Sequence, residues 1–225
     1  MFDRIAAVYD RMNAVMTAGL HHKWRRRAVD LAAVTPGGRA LDVATGTGDL
    51  AFELARRMAP GGTVVGADFS ESMLELARAK ARGFTPAGVE LRFEPANALA
   101  LHFADDEFDA ATVGFGARNF SDLDRGLGEM VRVVRPGGRV VVLEITTPTR
   151  PPLSTFLELW FDHIVPALGR LAADADAYRY LPNSVRRFPP PAELAASMWG
   201  CGLRSIRYVL TAGGIISLHV GEVPI

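Results

Sequence analysis

Hydrophobic positions in the first part of the chain follow a helical period. Apolar residues between positions 2 and 31 recur every three or four residues, and Gly19 interrupts the run. The pattern predicts one helix that ends near Gly19 and a second helix that begins at His21 or His22. We expect these helices to form an N-terminal cap over residues 1–35.

From residue 36 the period of the pattern changes. Short, almost continuous apolar runs alternate with helical segments as far as residue 145, which is typical of strands buried on both faces of a parallel sheet. Right-handed crossovers then give an α/β, Rossmann-like doubly wound sheet with its ligand site at the carboxyl ends of the strands. Ser70 or Ser72 is expected to cap one helix, with Glu75 three residues after Ser72 as in a capping box. The predicted strands are 40–43, 63–67, 89–93, 108–113 and 139–143, and the predicted helices are 49–58, one that ends at 81, and 122–133.

Residues 151–191 predict a helical lid insertion. Within it, 153–168 keeps one apolar helical face over several turns, although Pro166 should end or kink the helix. We expect this face to pack over the edge of the sheet, or to form an apolar entrance for a ligand that carries an apolar tail.

The end of the chain, 192–225, predicts a helix near 193–199 followed directly by two strands, 204–210 and 214–220. Two strands in immediate succession form a hairpin, so one of them should run antiparallel to the others. With the cofactor-binding core at 36–145, these segments predict a single domain.

The turn after the first predicted strand carries the strongest chemical signal. Gly46 and Gly48 follow the apolar run, and a helix begins at Asp49. Glycine lets backbone N–H groups approach a ligand closely, and the positive end of the helix points to the same place. Asp68 ends the second run, where its carboxylate can accept hydrogen bonds from two ribose hydroxyls. This order of elements indicates a site for an adenosine-containing cofactor.

Two classes of adenosine cofactor have to be distinguished. Nicotinamide chemistry finds little support, because the chain has no Tyr-x-x-x-Lys pair and its only lysines are Lys23 and Lys80. Asp42 stands near the end of the first strand, where its carboxylate can brace the glycine turn. Asn97 and Ala98 follow the third strand, where a side-chain amide or a backbone N–H could contact an adenine edge. These features favour S-adenosylmethionine.

The amino-acid composition indicates which kinds of partner the protein can bind. The 225 residues include 25 lysines and arginines and 25 aspartates and glutamates, so no bulk charge attracts nucleic acid. Cys201 is the single cysteine, which excludes an internal disulfide and a multi-cysteine metal site. With neither a secretory segment nor an apolar run of about 20 residues, we expect a soluble, cytoplasmic protein without a metal ion. Arg25–Arg27 are expected to form a solvated face or to meet anionic lipid heads, and peripheral membrane contact and homodimer formation stay open.

Motifs along nearly the whole chain resemble one enzyme family. Residues 41–48 and 136–138 resemble two motifs of class I S-adenosylmethionine-dependent methyltransferases, whose sheet has seven strands with the last one antiparallel. Further segments are similar to the ubiquinone/menaquinone biosynthesis C-methyltransferase family, and the run 16–22 resembles its menaquinone branch. These segments are 4–13, 19–25, 68–74, 115–119 and 178–184.

This resemblance implies S-adenosylmethionine-dependent C-methylation of a prenylated hydroquinone, with 2-demethylmenaquinol to menaquinol as the reaction. Gly114 stands where many members of the family have serine, so a backbone contact there would survive but a hydroxyl contact would not. The implied cofactor positions are Thr47, Asp68, Asn97 and Ala98, together with Gly46, Gly48, Phe69 and Gly114 in the same turns.

The catalytic candidates follow from the need to remove a phenol proton. A phenol titrates near pH ~10, so a base, or a cation that stabilises the phenolate, is needed near the ring. Arg118 and Asn119 are expected to face the reactive methyl group; alternatively, Arg118 pairs with a carboxylate such as Asp122, and Asn119 caps a helix. The base candidates are His21, His22, Asp49 and His219, of which the last two could be structural, and Tyr9 is expected to hydrogen-bond the ring oxygens.

Other functions stay open at this point. The acceptor could be a ubiquinone-type benzoquinol or another small aromatic or lipid-like molecule. A nicotinamide-dependent oxidoreductase would bind NADH, and a non-catalytic nucleoside-binding module would bind the cofactor without turnover. Methylation of nucleic-acid amino groups is disfavoured, because the chain lacks an Asp/Asn-Pro-Pro-aromatic motif.

Overall fold

The computed structural model describes residues 19–84, 86–148, 151, 153–159 and 182–225, with the backbone alone at 156–158. The predicted first helix lies outside these residues, and so does most of the apolar face at 153–168, whose role as a lid or entrance stays a prediction. Within the described ranges, no helix is long and apolar enough to cross a membrane.

Seven strands form a single sheet. In chain order they are β1 (Arg39–Val43), β2 (Thr63–Asp68), β3 (Glu90–Pro95), β4 (Phe108–Gly114), β5 (Val134–Ile145), β6 (Arg204–Thr211) and β7 (Ile216–Glu222). Their order across the sheet is β3-β2-β1-β4-β5-β7-β6. The first five pair in parallel, and β7 lies antiparallel between β5 and β6. The predicted seven-stranded doubly wound sheet with an antiparallel last strand is confirmed.

Helices connect these strands. They include α1 (His21–Ala32), α2 (Asp49–Met58), α3 (Glu71–Ala81), α4 (Leu123–Val133), α5 (Leu153–Leu159) and α6 (Pro191–Gly200). Ser70 caps α3, because its hydroxyl accepts a hydrogen bond from the backbone N–H of Met73 at 3.4 Å. The capping box predicted at Ser72 is wrong, since that residue already lies in the first turn of the helix.

Strand β5 begins earlier than the apolar pattern predicts. Val134 pairs with Phe108, and the register then shifts before Ala110 pairs with Arg139. Gly137 adopts a φ of +77° inside this stretch, so the residues predicted to form a tight turn before the strand belong to an irregular part of it. Polar and glycine residues at the start of β5 hide it from a search for apolar runs.

The central strands of the sheet are buried on both faces. Ala40 and Val64 pack against α1, α2 and α3 on one face, whereas Leu41 and Val65 pack against α4 and α6 on the other. Neighbouring residues of one strand therefore enter opposite halves of the core, which explains the continuous apolar runs. A fully buried leucine or methionine contributes about 1.5–3 kcal/mol, and such side chains come from both halves.

Candidate active site

A cavity of about 280 Å³ opens at the carboxyl ends of β1 to β4. These strands are neighbours in the sheet, so the turns that follow them meet at one edge, as expected for a doubly wound fold. The cavity is lined by Arg25, Asp42, Ala44, Thr45, Gly46, Thr47, Asp49, Leu50, Asp68, Phe69, Ser70, Met73, Ala96, Asn97, Ala98, Leu99, Gly114, Phe115, Gly116, Asn119, Phe120 and Ser121.

The turn after β1 presents its backbone to the cavity. Gly46 has a φ of +57°, and a Cβ built on it would meet no atom within 4 Å, because that space is the cavity itself. Its N–H donates to Asp68 Oδ2 at 2.7 Å, and the N–H of Ser70 donates to Asp68 Oδ1 at 2.9 Å. The carboxylate at the end of β2 is thus held in place by two backbone groups. A glycine whose Cα faces empty space lets a ligand approach the backbone closely, and a fixed carboxylate beside it can accept from ribose hydroxyls. Together they suit an adenosine-containing ligand.

Gly48 has a different role from the one that its position in the motif predicts. Its φ is +87°, and a Cβ there would lie 2.8 Å from Cζ of Phe93. It does not line the cavity. Glycine is needed at this position because the start of α2 approaches the Phe93 ring, so Gly48 supports the turn from behind.

Asp42 braces the glycine turn, as the sequence predicts. Its carboxylate accepts hydrogen bonds from Thr45 Oγ1 at 2.6 Å and from Thr112 Oγ1 at 2.8 Å. Burial raises the pKa of Asp42 to about 7, against the opposing effect of these hydrogen bonds. One carboxylate therefore joins the turn after β1 to the neighbouring strand β4.

The backbone is strained where β1 and β4 end. Ala44 and Phe115 adopt φ values of +52° and +59°, which side-chain-bearing residues rarely do and which cost about 1–3 kcal/mol each. The segments that follow these two strands approach each other so closely that a Cβ on Gly116 would lie 2.5 Å from Cβ of Ala44. Both strained residues line the cavity, so the surrounding contacts must hold this geometry in place.

Arg118 supplies one of these contacts from behind the cavity. Its Nη1 donates to Glu144 Oε1 and to the carbonyl oxygen of Phe115, both at 2.6 Å, and its backbone N–H donates to Glu144 Oε2 at 3.2 Å. Glu144 is fully buried and Arg118 is almost so. Arg118 is not among the residues that line the described cavity, and the expectation that its guanidinium faces the reacting groups stays a prediction.

The alternative role of Arg118, pairing with a carboxylate, is confirmed with a different partner, whereas the alternative role of Asn119 as a helix cap is not confirmed. The carboxylate partner of Arg118 is Glu144, whereas Asp122 caps α4 by accepting from the N–H of Arg125 at 3.0 Å. Asn119 is therefore not the cap, and it lines the cavity. The sequence-based prediction did not include Glu144, although a single carboxylate inside the apolar run of β5 indicates a buried, paired charge.

Arg25 departs furthest from expectation. The sequence predicts that Arg25–Arg27 form a solvated face or meet anionic lipid heads, but Arg25 is buried and lines the cavity, while Arg26 and Arg27 are exposed. Its Nη1 lies 3.1 Å from Asp49 Oδ2. Its spacing of three, four and seven residues to the buried Ala28, Val29 and Ala32 was the signal for an inward position.

Asp49 lies between two cations. Oδ2 faces Arg25, and Oδ1 accepts from Lys80 Nζ at 3.0 Å; Lys80 also donates to Thr47 Oγ1 at 2.8 Å. Burial alone would raise the pKa of Asp49, but the charges of Arg25 and Lys80 outweigh burial and hold that pKa below its ordinary value. A carboxylate stabilised in this way stays ionised and is a weak base.

The histidines predicted as bases lie away from the cavity lining. His21 is buried, and its Nδ1 accepts a hydrogen bond from Arg25. His219 is buried in β7, donates from Nε2 to the carbonyl of Pro191 at 2.9 Å, and has a pKa that burial lowers. His22 is exposed beside His21. Tyr9, the remaining catalytic candidate, lies outside the described residues.

The remaining predicted residues surround the cavity. Asn97 and Ala98 line it after β3, and Asn97 Oδ1 accepts from the N–H of Leu99 at 2.9 Å. Gly114 lines the opposite side, at the end of β4. Phe69 is 85% exposed at the rim, which is unusual for an apolar ring and suits a cover for a flat base. Within the described ranges, no group of three His, Cys, Asp or Glu side chains could hold a metal ion.

A comparison with known protein families shows to which family of enzymes the chain belongs. The model of the ubiE/COQ5 methyltransferase family matches residues 1–223. The chain belongs to this family. The enzyme class and the family resemblance that the motifs predicted are thereby confirmed.

Relatives of this methyltransferase match it along its length. A demethylmenaquinone methyltransferase of Thermus thermophilus is 48% identical over 225 residues, covering 100% of both chains. A ubiquinone/menaquinone biosynthesis C-methyltransferase of Geobacter sulfurreducens is 42% identical over 222 residues, covering 99% of this chain and 86% of the relative. The fold is shared with a SAM-dependent methyltransferase from Aquifex aeolicus, at a TM-score of 0.61 and 17% identity over 88% of this chain and 89% of that one.

The burial of Asp42 predicts an unusual pH dependence of stability. Below pH about 4 this carboxyl is protonated in both the folded and the unfolded chain. As the pH rises toward 7 the unfolded chain ionises first, so the free energy of unfolding should fall by an amount on the order of 4 kcal/mol. We expect Asp42→Asn to remove this component, so that urea unfolding shows the variant gaining on the natural protein between pH 4 and pH 7. A difference between the two proteins that does not change with pH would contradict this prediction.

The burial of the Arg118–Glu144 pair predicts that neutralising Glu144 lowers the free energy of unfolding more than neutralising Glu222, another glutamate of the same sheet. Glu144→Gln leaves a buried guanidinium without its counter-charge, which should lower the free energy of unfolding by about 3 kcal/mol or more. Glu222→Gln is the matched control, because Glu222 pairs with Arg139 at 2.9 Å but is 37% exposed; its loss should cost less than about 1 kcal/mol. Urea unfolding at neutral pH measures both, and equal costs would show that burial of the first pair is unimportant.

Proposed function

We propose that this methyltransferase transfers a methyl group from S-adenosylmethionine to a ring carbon of a prenylated hydroquinone, and that the acceptor is 2-demethylmenaquinol. The observation that carries the proposal is the cavity in which the open backbone of Gly46 lies beside the fixed carboxylate of Asp68, in a chain of the ubiE/COQ5 methyltransferase family. The Thermus thermophilus relative, identical at 48% of positions, is named for demethylmenaquinone.

The residues proposed to hold the cofactor follow the order of the strands. Asn97 and Ala98, after β3, would contact the adenine, and Phe69 would cover it from the rim. Asp68, after β2, would accept from the ribose hydroxyls. Gly46 and Thr47, after β1, and Gly114, after β4, would contact the remainder of the cofactor. All of these residues line the one cavity described above.

The chemistry requires little from the protein beyond position and charge. When bound, S-adenosylmethionine would supply an electrophilic methyl group for the electron-rich ring carbon of the quinol, and the proton displaced from that carbon would pass to water. Asn119 lines the cavity beside the strained turn at Phe115, and we assign it the role of hydrogen-bonding a ring oxygen. Arg118 acts through that turn as a positioning residue. Asp49, held ionised by two cations, fixes charge rather than accepting the proton.

The setting of the reaction follows from the acceptor. A prenylated quinol carries an apolar tail, so we propose that the protein works in the cytoplasm and meets its substrate at the membrane surface. A ubiquinone-type benzoquinol is the second candidate acceptor, because the relative from Geobacter sulfurreducens is named for both quinones. A homodimer stays a prediction.

The proposal predicts transfer of a labelled methyl group. We would incubate the purified protein with S-adenosylmethionine labelled in the methyl group and with reduced 2-demethylmenaquinone, and analyse the quinol fraction by mass spectrometry. Label should appear on the naphthoquinol ring, and the oxidised quinone should take up none, because its ring carbon is electron-poor. Label on a demethylated benzoquinol alone would favour the second candidate, and label on neither quinol would overturn the proposal.

Asp68 provides a test of the cofactor site that does not require turnover. Asp68→Ala should weaken the binding of S-adenosylhomocysteine at least about tenfold, because a hydrogen bond to a charged group contributes ~1.5–3 kcal/mol. Glu75→Ala is the control, since Glu75 is exposed on α3 and does not line the cavity. Isothermal calorimetry compares the two, and an unchanged affinity in Asp68→Ala would remove this residue from the site.

A further inference from the structure

Arg25 is a buried cation at the wall of the cavity, in a row of three arginines whose other two members are exposed. Burial of a guanidinium is costly unless other groups compensate its charge. In the described part of the chain, the polar partners of Arg25 are His21 and Asp49, and both contact Nη1. Among the described residues no polar group is hydrogen-bonded to Nε or Nη2, so with respect to this part of the chain both can donate to a ligand in the cavity.

The position of Arg25 along the cavity points to one part of the proposed cofactor. The sheet order places the end of β3 at one side, followed by the ends of β2, β1 and β4. Asn97 and Asp68 mark the first two positions, where the adenine and ribose are proposed to lie. Helix α1 packs against α2, β4 and β5. Arg25 therefore reaches the cavity from the β4 side, beyond the proposed positions of the adenine and the ribose.

Opposite charges lie side by side at that end of the cavity. Arg25 and Asp49 both line it, with 3.1 Å between Nη1 and Oδ2. The amino-acid portion of S-adenosylmethionine carries a carboxylate and an ammonium group on one carbon, which is the complementary arrangement. A guanidinium binds a carboxylate through two parallel hydrogen bonds, and a carboxylate oxygen that already accepts one hydrogen bond can accept another.

We propose that Arg25 binds the carboxylate of the amino-acid portion of the cofactor, beside Asp49, which receives its ammonium group. This inference rests on the proposed function, since it assumes that S-adenosylmethionine occupies the cavity. It gives Arg25 a role in binding, separate from the ring chemistry at Asn119.

Two nucleosides that differ only in the amino-acid portion test the proposal. S-adenosylhomocysteine contains it, whereas 5′-methylthioadenosine ends in a methyl group at the same sulfur. Arg25→Gln should weaken the binding of S-adenosylhomocysteine about tenfold or more, because a charge-assisted bidentate pair is lost. The same variant should bind methylthioadenosine as the natural protein does, which also shows that its cavity is folded. Isothermal calorimetry at fixed ionic strength measures all affinities.

Two further variants make the result specific. Arg26→Gln removes an exposed charge from the next position of the same helix, and should leave both affinities unchanged. Arg25→Lys keeps the charge without the planar fork, and should recover part of the lost affinity for S-adenosylhomocysteine.

The outcomes separate this inference from the proposed function. If Arg25→Gln weakens both ligands equally, Arg25 supports the cavity as a whole and the inference is overturned. It is also overturned if both affinities are unchanged while the natural protein binds both ligands. If the natural protein binds neither nucleoside, the proposed cofactor itself is wrong.

Discussion

The geometry of the cavity depends on one buried carboxylate that joins two strands. Asp42 accepts from Thr45 in the turn after β1 and from Thr112 in β4, so it fixes the distance between the two strand ends that form the floor of the site. Its burial carries a cost in free energy that grows toward neutral pH. The turn beside Asp42 also holds backbone strain. Ala44 is kept at a φ of +52° and would relax if the turn were free to move.

A second buried carboxylate holds the turn that follows β4. Glu144 of β5 holds Arg118, and Arg118 in turn holds the carbonyl of Phe115, which is the second strained residue at the cavity. Both strained positions are therefore held from behind by buried polar contacts between neighbouring strands. A transfer reaction that depends on placing two molecules in line benefits from such a wall, because fixed geometry replaces the ordering of loose groups during the reaction.

These contacts explain which parts of the site the sequence could predict. Gly46 and Asp68 were predictable, because turn chemistry and the ends of apolar runs are local features of the chain. Glu144 lies 26 residues from Arg118, and no local pattern joins the two. Arg25 looked solvated because its neighbours are also arginines, although its helical phase with Ala28 and Val29 already placed it inward. Pairings made by the tertiary structure, such as Lys80 with Thr47, give no signal in a single sequence.

The two ends of the cavity differ in charge, and this difference can select one orientation of an asymmetric ligand. At the β2 end, Asp68 offers acceptor oxygens beside backbone donors. At the end facing α1, Arg25 and Asp49 offer a cation and an anion together. A nucleoside with hydroxyls on one side and a zwitterion on the other satisfies both ends in one direction only, since the reverse would bury a carboxylate against Asp68. Orientation matters more than affinity for a methyl donor, because a molecule bound in reverse would direct its reactive carbon away from Asn119 and the acceptor.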